Sequence, residues 1–172
     1  GDVGKLGAVE EIWLSDNGFL VRFEHDGNNG ISQLAGRLLT RATKRRDAAG
    51  VAHAIDRMAG ALHGSGGRNS LSVRGEFLSK HFEPALRLLA ECATEPAFVP
   101  DELERERSVL LQEIRARDDS PSSAVFDLFT RTLFQVHAFR LDPMGEEASV
   151  GSLTSADLSA LHATAMHRSR LV

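Results

Sequence analysis

Glu106 and Glu113 stand seven residues apart in the stretch Pro100 to Ile114, a spacing that sets two carboxylates nearly above one another on a helix. On this helix alone the two carboxylates read as a solvated acidic face, and only a second element upstream can give them another role. Pro100 opens the stretch, acidic residues fill its first turn and basic residues follow, the charge order that a helix macrodipole favours. Leu103, Val109, Leu110 and Ile114 supply the apolar stripe. The other chemically capable residues do not gather. His25, His53, His63, His81, His137, His162 and His167 are scattered over different elements, and the last two are five apart, off a common helix face. Cys92 is the single cysteine, which excludes an internal disulfide and a cysteine-based metal cluster. No Gly-x-Ser-x-Gly elbow or phosphate loop occurs, and Gly64-Ser-Gly-Gly67 leads into a strand rather than a helix.

These residues sit in a chain of 172, long enough to bury a proper core as one domain or most of one. A net charge of −4 argues against nucleic acid as the main partner, because phosphate binding needs a positive field. Arg41-Ala-Thr-Lys-Arg-Arg46 is the one dense basic run, and it reads as a solvated loop without an interleaved aromatic platform. No apolar run reaches membrane-spanning length and no signal peptide is read, leaving the compartment, cytoplasmic or periplasmic, open.

The elements that position the candidates follow from periodicity. Ala8 to Leu14 and Phe19 to Glu24 read as strands joined through Ser15-Asp16-Asn17-Gly18, with Phe19, Val21 and Phe23 on one face. His25 to Gly30 is a loop, and Ile31, Leu34, Ala35, Leu38 and Leu39 then make a helical stripe. Asp47 can cap a second helix running to about Leu62, with Val51, Ile55, Met58 and Leu62 on its apolar face. Leu71 to Phe77 alternates as a half-buried strand. Ser79 caps a third helix with Phe82, Leu86, Leu89 and Ala93 facing inward, and Pro96 and Pro100 bracket the connection to the acidic helix. A helix with Phe126, Phe129 and Leu133 follows Pro121, and His137 to Gly145 is irregular. Leu153-Thr154-Ser155-Ala156-Asp157 resembles the capped start of a last helix. The order predicts an α+β fold, with helices on one face of a largely antiparallel sheet.

Several phrases, in this order and spacing, resemble one domain of the pitrilysin/insulinase family of zinc peptidases, which includes the mitochondrial processing peptidases. They are Asp16-Asn17-Gly18, Asn29-Gly30-Ile31 and Gly66-Gly67-Arg68-Asn69-Ser70-Leu71-Ser72. They continue with Pro96-Ala-Phe98, Glu104 to Ile114, Asp142-Pro-Met-Gly145 and Ser152 to Leu158, so that nearly the whole chain from Asn28 onward is covered. The resemblance makes residues 1–172 a single domain of that kind, part of a larger chain or assembly.

In catalytic members of the family the first helix carries His-x-x-Glu-His, two histidines one turn apart for zinc and a glutamate as general base. The corresponding residues here are Gln33-Leu34-Ala35-Gly36-Arg37, which offer neither histidine nor base. Glu113 matches the family's third zinc ligand and Glu106 its nearby acidic residue. The resemblance therefore implies a non-catalytic half with no catalytic or metal-ligating residues of its own, zinc belonging to a catalytic half or subunit. Such halves close around an extended, unfolded peptide. Asn69, Ser70 and Leu71 match the stretch that offers a strand edge to substrate in catalytic halves. The alternative is a structural core subunit that scaffolds an assembly without proteolysis. With the helices in their family positions, Arg37 and Glu113 meet where zinc would sit, forming a charge-assisted pair. Gly18 and Gln33 lie closer together than in relatives, and the family begins another strand beyond Val172. Unpaired sheet edges and association with another chain or domain, or with a second copy, are the expectation.

Overall fold

The computed structural model describes residues 11–15, 18–22, 28–68, 70–135 and 137–165. Two antiparallel hairpins and seven α-helices make an α+β architecture among these residues. β1 (Glu11–Ser15) pairs with β2 (Gly18–Arg22), with Ser15 opposite Gly18. The turn at Asp16-Asn17, the loop ahead of Asn28, Phe23, His25 and His167 lie outside the described residues, as do the side chains of both strands, Phe19 and Val21 included.

α1 (Ile31–Leu38) starts from Gly30, whose φ of 90° requires glycine. Gly145, at φ 86°, crosses it so closely that a Cβ on Gly30 would lie 2.7 Å from the Met144 carbonyl oxygen. This contact fastens the Asp142 to Gly145 turn to the entry of α1. α2 (Ala48–Arg57) is capped by Asp47, which accepts the Gly50 N–H at 2.8 Å.

α2 ends five residues before the expected limit at Leu62. Ala59 turns to φ 48°, Gly60 follows, and Ala61–Gly66 forms β3 against β4 (Leu71–Glu76). Leu62 is in helical phase with Ile55 and Met58, but it reaches the same core from a strand opposite Gly75. Pairing with β4 overrides the local period, and Gly64-Ser-Gly66, read from the sequence as leading into a strand, is itself strand. One face of this hairpin, Leu62, Gly64, Gly66, Leu71, Val73 and Gly75, turns inward, while His63, Ser65, Ser72, Arg74 and Glu76 are exposed.

A 3-10 turn, Ser79–His81, occupies the place expected for a cap, so α3 (Phe82–Thr94) begins later and is rotated from the predicted face. Ala85, Leu88 and Cys92 are buried, whereas Phe82 and Leu86 are 68% and 51% exposed. Burial, and secondarily the charge of Glu91, pushes the Cys92 thiol up to about 11, so it stays protonated as a small apolar filler. α4 (Pro100–Asp118) runs as its charge order predicts, but Val109 is exposed, and Glu106 and Arg107 turn inward beside Leu103, Leu110 and Ile114. α5 (Pro121–Leu133), a second 3-10 turn (Ala138–Arg140), α6 (Glu147–Ser152) and α7 (Ser155–Ala165) complete the described chain. Thr154 and Asp157 exchange hydrogen bonds at the start of α7 (Thr154 N–H to Asp157 Oδ2, 2.8 Å), the capped entry read from the sequence.

Ile31, Leu34 and Leu38 of α1 pack with Leu110, Ile114, Val150, Leu158 and Leu161 in one apolar cluster. Val51, Met58, Leu62, Ala85, Leu88 and Cys92 form a second, and Val73 touches both. His162 closes the first cluster's rim: its Nε2 is 2.7 Å from the Ala93 carbonyl oxygen and its ring meets Phe98 edge-on. Burial lowers its pKa, with the hydrogen bond to Ala93 opposing and the charge of Lys44 assisting. The unfolded chain therefore takes up this proton at a higher pH than the folded one. The stabilisation is complete above about pH 6.5 and is lost as pH falls below it. The thermal midpoint is expected to drop between about pH 7 and about pH 5, and to drop less in His162→Gln, as calorimetry at both values will show.

Candidate functional site

The expected site residues lie where α1 meets α4 and β3. Gln33 does not point into an open pocket: its Nε2 donates to the Gly66 carbonyl at 2.7 Å. Three residues on, Gly36 lies directly against the β3 backbone. A Cβ there would stand 2.3 Å from both the Gly66 nitrogen and the Ser65 carbonyl carbon. The contact is mutual, since a Cβ on Gly64 would fall 2.1 Å from the Gly36 carbonyl oxygen and one on Gly66 1.8 Å from that of Ser32. Three glycines thus let a strand and a helix touch backbone to backbone.

Arg37 and Glu113 are brought together in a two-pronged pair, Nη1 to Oε1 at 3.1 Å and Nη2 to Oε2 at 2.5 Å. Both carboxylate oxygens are engaged by one planar guanidinium. Four residues further along, Arg41 reaches Glu106 at 2.5 Å. Residue numbers rise along α1 as they fall along α4, so the two segments run antiparallel with two cations facing two carboxylates. The Glu106 side chain is only 9% exposed, and a carboxylate so enclosed needs a charge beside it. Glu113 is 41% exposed, which limits its pair with Arg37 to under about 1 kcal/mol. Local charge balance, more than stability, is what this pair provides.

Arg41 was the contributor not expected from the sequence, and the basic run is not the unpartnered loop it resembled. Arg45 meets Glu95 at 2.7 Å and Arg46 meets Glu91 at 3.3 Å. Nothing in the local sequence singles Arg41 out, because the basic run looks uniform until its carboxylate partners are placed. Of the stretch expected at a strand edge, Ser70 is exposed and its carbonyl accepts the Gly67 N–H at 2.8 Å. Leu71 is half-buried against the first core cluster, and Asn69 lies outside the described residues. β3 and β4 pair only with each other among the described residues, leaving an open edge on each.

The donor set does not suit a metal ion. Gln33 is spent on a backbone carbonyl, Gly36 offers no side chain, and Arg37 and Arg41 cover the two carboxylates. Among the described residues no three His, Cys, Asp or Glu side chains converge as a metal site would require. No described helix is long and apolar enough to cross a membrane.

The sequence profile of insulinase (peptidase family M16) matches residues 21–146. An uncharacterised zinc protease of Mycobacterium leprae is 30% identical over 143 residues, 83% of this chain and 32% of that protein. Subunit 1 of the bovine mitochondrial cytochrome b-c1 complex is 28% identical over 148 residues, 86% of this chain and 30% of its own length. The chain thus spans about a third of the curated relatives it matches. Among solved structures, a peptidase M16 inactive domain from Pseudomonas fluorescens superposes with a TM-score of 0.73 at 22% identity, covering 79% of this chain and 34% of that one.

Proposed function

Since the chain belongs to the insulinase family, peptidase family M16, we propose that it is the non-catalytic half of a zinc-dependent peptidase. It stands beside a zinc-bearing half and helps enclose an extended peptide. The observation that carries this reading is the Arg37–Glu113 pair. In catalytic relatives the turn of α1 holds the metal and its general base. Here a guanidinium takes the metal's electrostatic role toward Glu113, and β3 backbone fills the space beside Gly36. The chain's part is then to supply wall and surface, the hydrolytic chemistry residing in a partner that keeps His-x-x-Glu-His. The open edges of β3 and β4 suit this role, because an extended peptide or a partner strand can add to them through main-chain hydrogen bonds.

A second reading is favoured by the likeness to a cytochrome b-c1 subunit: a core-type subunit that scaffolds an assembly. Co-purification separates the two. The chain is isolated with its natural partner, and hydrolysis of a quenched peptide is followed for each component and for the mixture. Cleavage only when both are present, with His-x-x-Glu-His on the partner, is the expected result. A partner without that motif, and a mixture that cuts nothing, would replace the leading reading with the scaffold.

A further inference from the structure

α5 is built inside out. Its half-buried positions are the polar Ser123, Asp127 and Thr130, and no residue of the helix is fully buried. Val125, Phe129 and Leu133, each four residues on from the last, form an outward ridge, with Phe126 on one side of it and Leu128 on the other. These five side chains are 59–71% exposed. A surface helix ordinarily turns its apolar stripe to the core, and among the described residues nothing covers this one. Half-exposed Phe139, set edge-on against Phe134, adds apolar surface just past the C-terminal end of the helix. Polar ties hold α5 to the body, Arg131 reaching Glu146 at 3.0 Å.

Area and charge point to one occupant. An aromatic side chain carries about 150–250 Å² of surface, so the exposed parts of the five come to on the order of 500–600 Å². The largest apolar patch of a typical monomer is about 300–600 Å², which puts this one at the upper limit. A standard homodimer covers about 800 Å² on each partner, of which about 500 Å² is apolar, so one such contact accounts for the whole patch. The ends of the helix carry opposite charges: exposed Asp119 precedes it and Arg131 lies in its last turn. Around a two-fold axis near Phe126 a second α5 runs antiparallel, and each Asp119 falls within about a turn of the other copy's Arg131. The two helix dipoles then also oppose each other favourably. The other exposed apolar stripe, Leu78, Phe82 and Leu86, offers three side chains against five. We propose that α5 is the contact between two copies of this chain, with Val125, Phe126 and Phe129 at its centre. The contact uses neither the Arg37–Glu113 pair nor the open edges of β3 and β4, and it does not rest on the peptide-enclosing role.

The test is sedimentation equilibrium of the full chain from about 1 to about 100 μM, where a dimer is expected. Phe129→Glu sets a carboxylate in the centre of the contact and is expected to weaken self-association about thirtyfold or more. Its circular dichroism is expected to match the wild type, because the side chain it replaces is exposed. Phe82→Glu on α3 is expected to leave self-association unchanged. Ser122→Cys places a thiol on the same face of α5 with little change of volume, and the buried Cys92 does not compete for a thiol reagent. Labelling of that thiol is expected to speed up about tenfold on dilution through the dissociation range. A monomer at every concentration, a dimer that survives Phe129→Glu, or a dimer that Phe82→Glu dissolves would overturn the proposal. A monomer whose Ser122→Cys thiol is shielded only in the complex co-purified above would give the face to the other half instead. No peptide and no catalytic partner enter the sedimentation, so it can fail while the reconstitution above succeeds, and the reverse.

Discussion

Replacing Gly36 with glutamate, the residue that catalytic relatives carry in that turn, is expected to destabilise the chain by about 3 kcal/mol or more. Inserting methylenes into a packed core costs about 1–3 kcal/mol when side chains can yield. At Gly36 the obstacles are backbone atoms, the Gly66 nitrogen at 2.3 Å and the Ser65 carbonyl oxygen at 2.8 Å, and they belong to a strand fixed by its ladder with β4. The gain in helix propensity on losing a glycine, about 1 kcal/mol, opposes but does not offset this. Gly36→Ala, which adds only the Cβ, is expected to show most of the loss. Urea unfolding of both variants measures it. Wild-type midpoints would mean that β3 can step aside, and that side chains alone distinguish this site from a catalytic one.

Arg107→Met is expected to cost about 3–5 kcal/mol, for a different reason. Arg107 is 8% exposed, and its guanidinium donates to the carbonyls of Val150 and Leu153, the latter at 2.6 Å. These carbonyls lie at the C-terminal end of α6, where a helix leaves acceptors without intrahelical donors. Methionine would fill similar volume but leave two buried acceptors unpaired, at about 1–3 kcal/mol each. Glu104, which also pairs with Arg107, is 67% exposed, so Glu104→Gln is expected to change stability by less than about 1 kcal/mol. Equal unfolding midpoints for the two variants would show that the carbonyls find water and that Arg107 is not the clamp between α4 and α6.

Much of this arrangement was legible in the residues, and the failures have common causes. α4 could be read because Pro100, its charge order and the Leu103–Leu110–Ile114 stripe agree with one another. β4 could be read because its alternation is strict from Leu71 to Glu76. β3 could not, because Gly64 and Gly66 serve contact with α1, which no local pattern announces, and Leu62 keeps a helical spacing by coincidence. The face of α3 was misassigned because Phe82 and Leu86 are large and apolar yet exposed, a choice made by tertiary packing and not by periodicity. At the site, Arg37 and Glu113 could be linked only through the resemblance to a zinc-binding turn. Arg41 and Glu106 were hidden because the basic run looks uniform until its carboxylate partners are placed.

Calorimetric titration of zinc into the purified chain bears most directly on whether this half lacks a metal site of its own. With Arg37 on Glu113 and no second ligand from α1, no saturable one-to-one binding is expected, and Glu113→Gln is expected to leave the trace unchanged. One zinc bound per chain, with affinity lost in Glu113→Gln, would contradict the account and return this chain to the catalytic halves of its family.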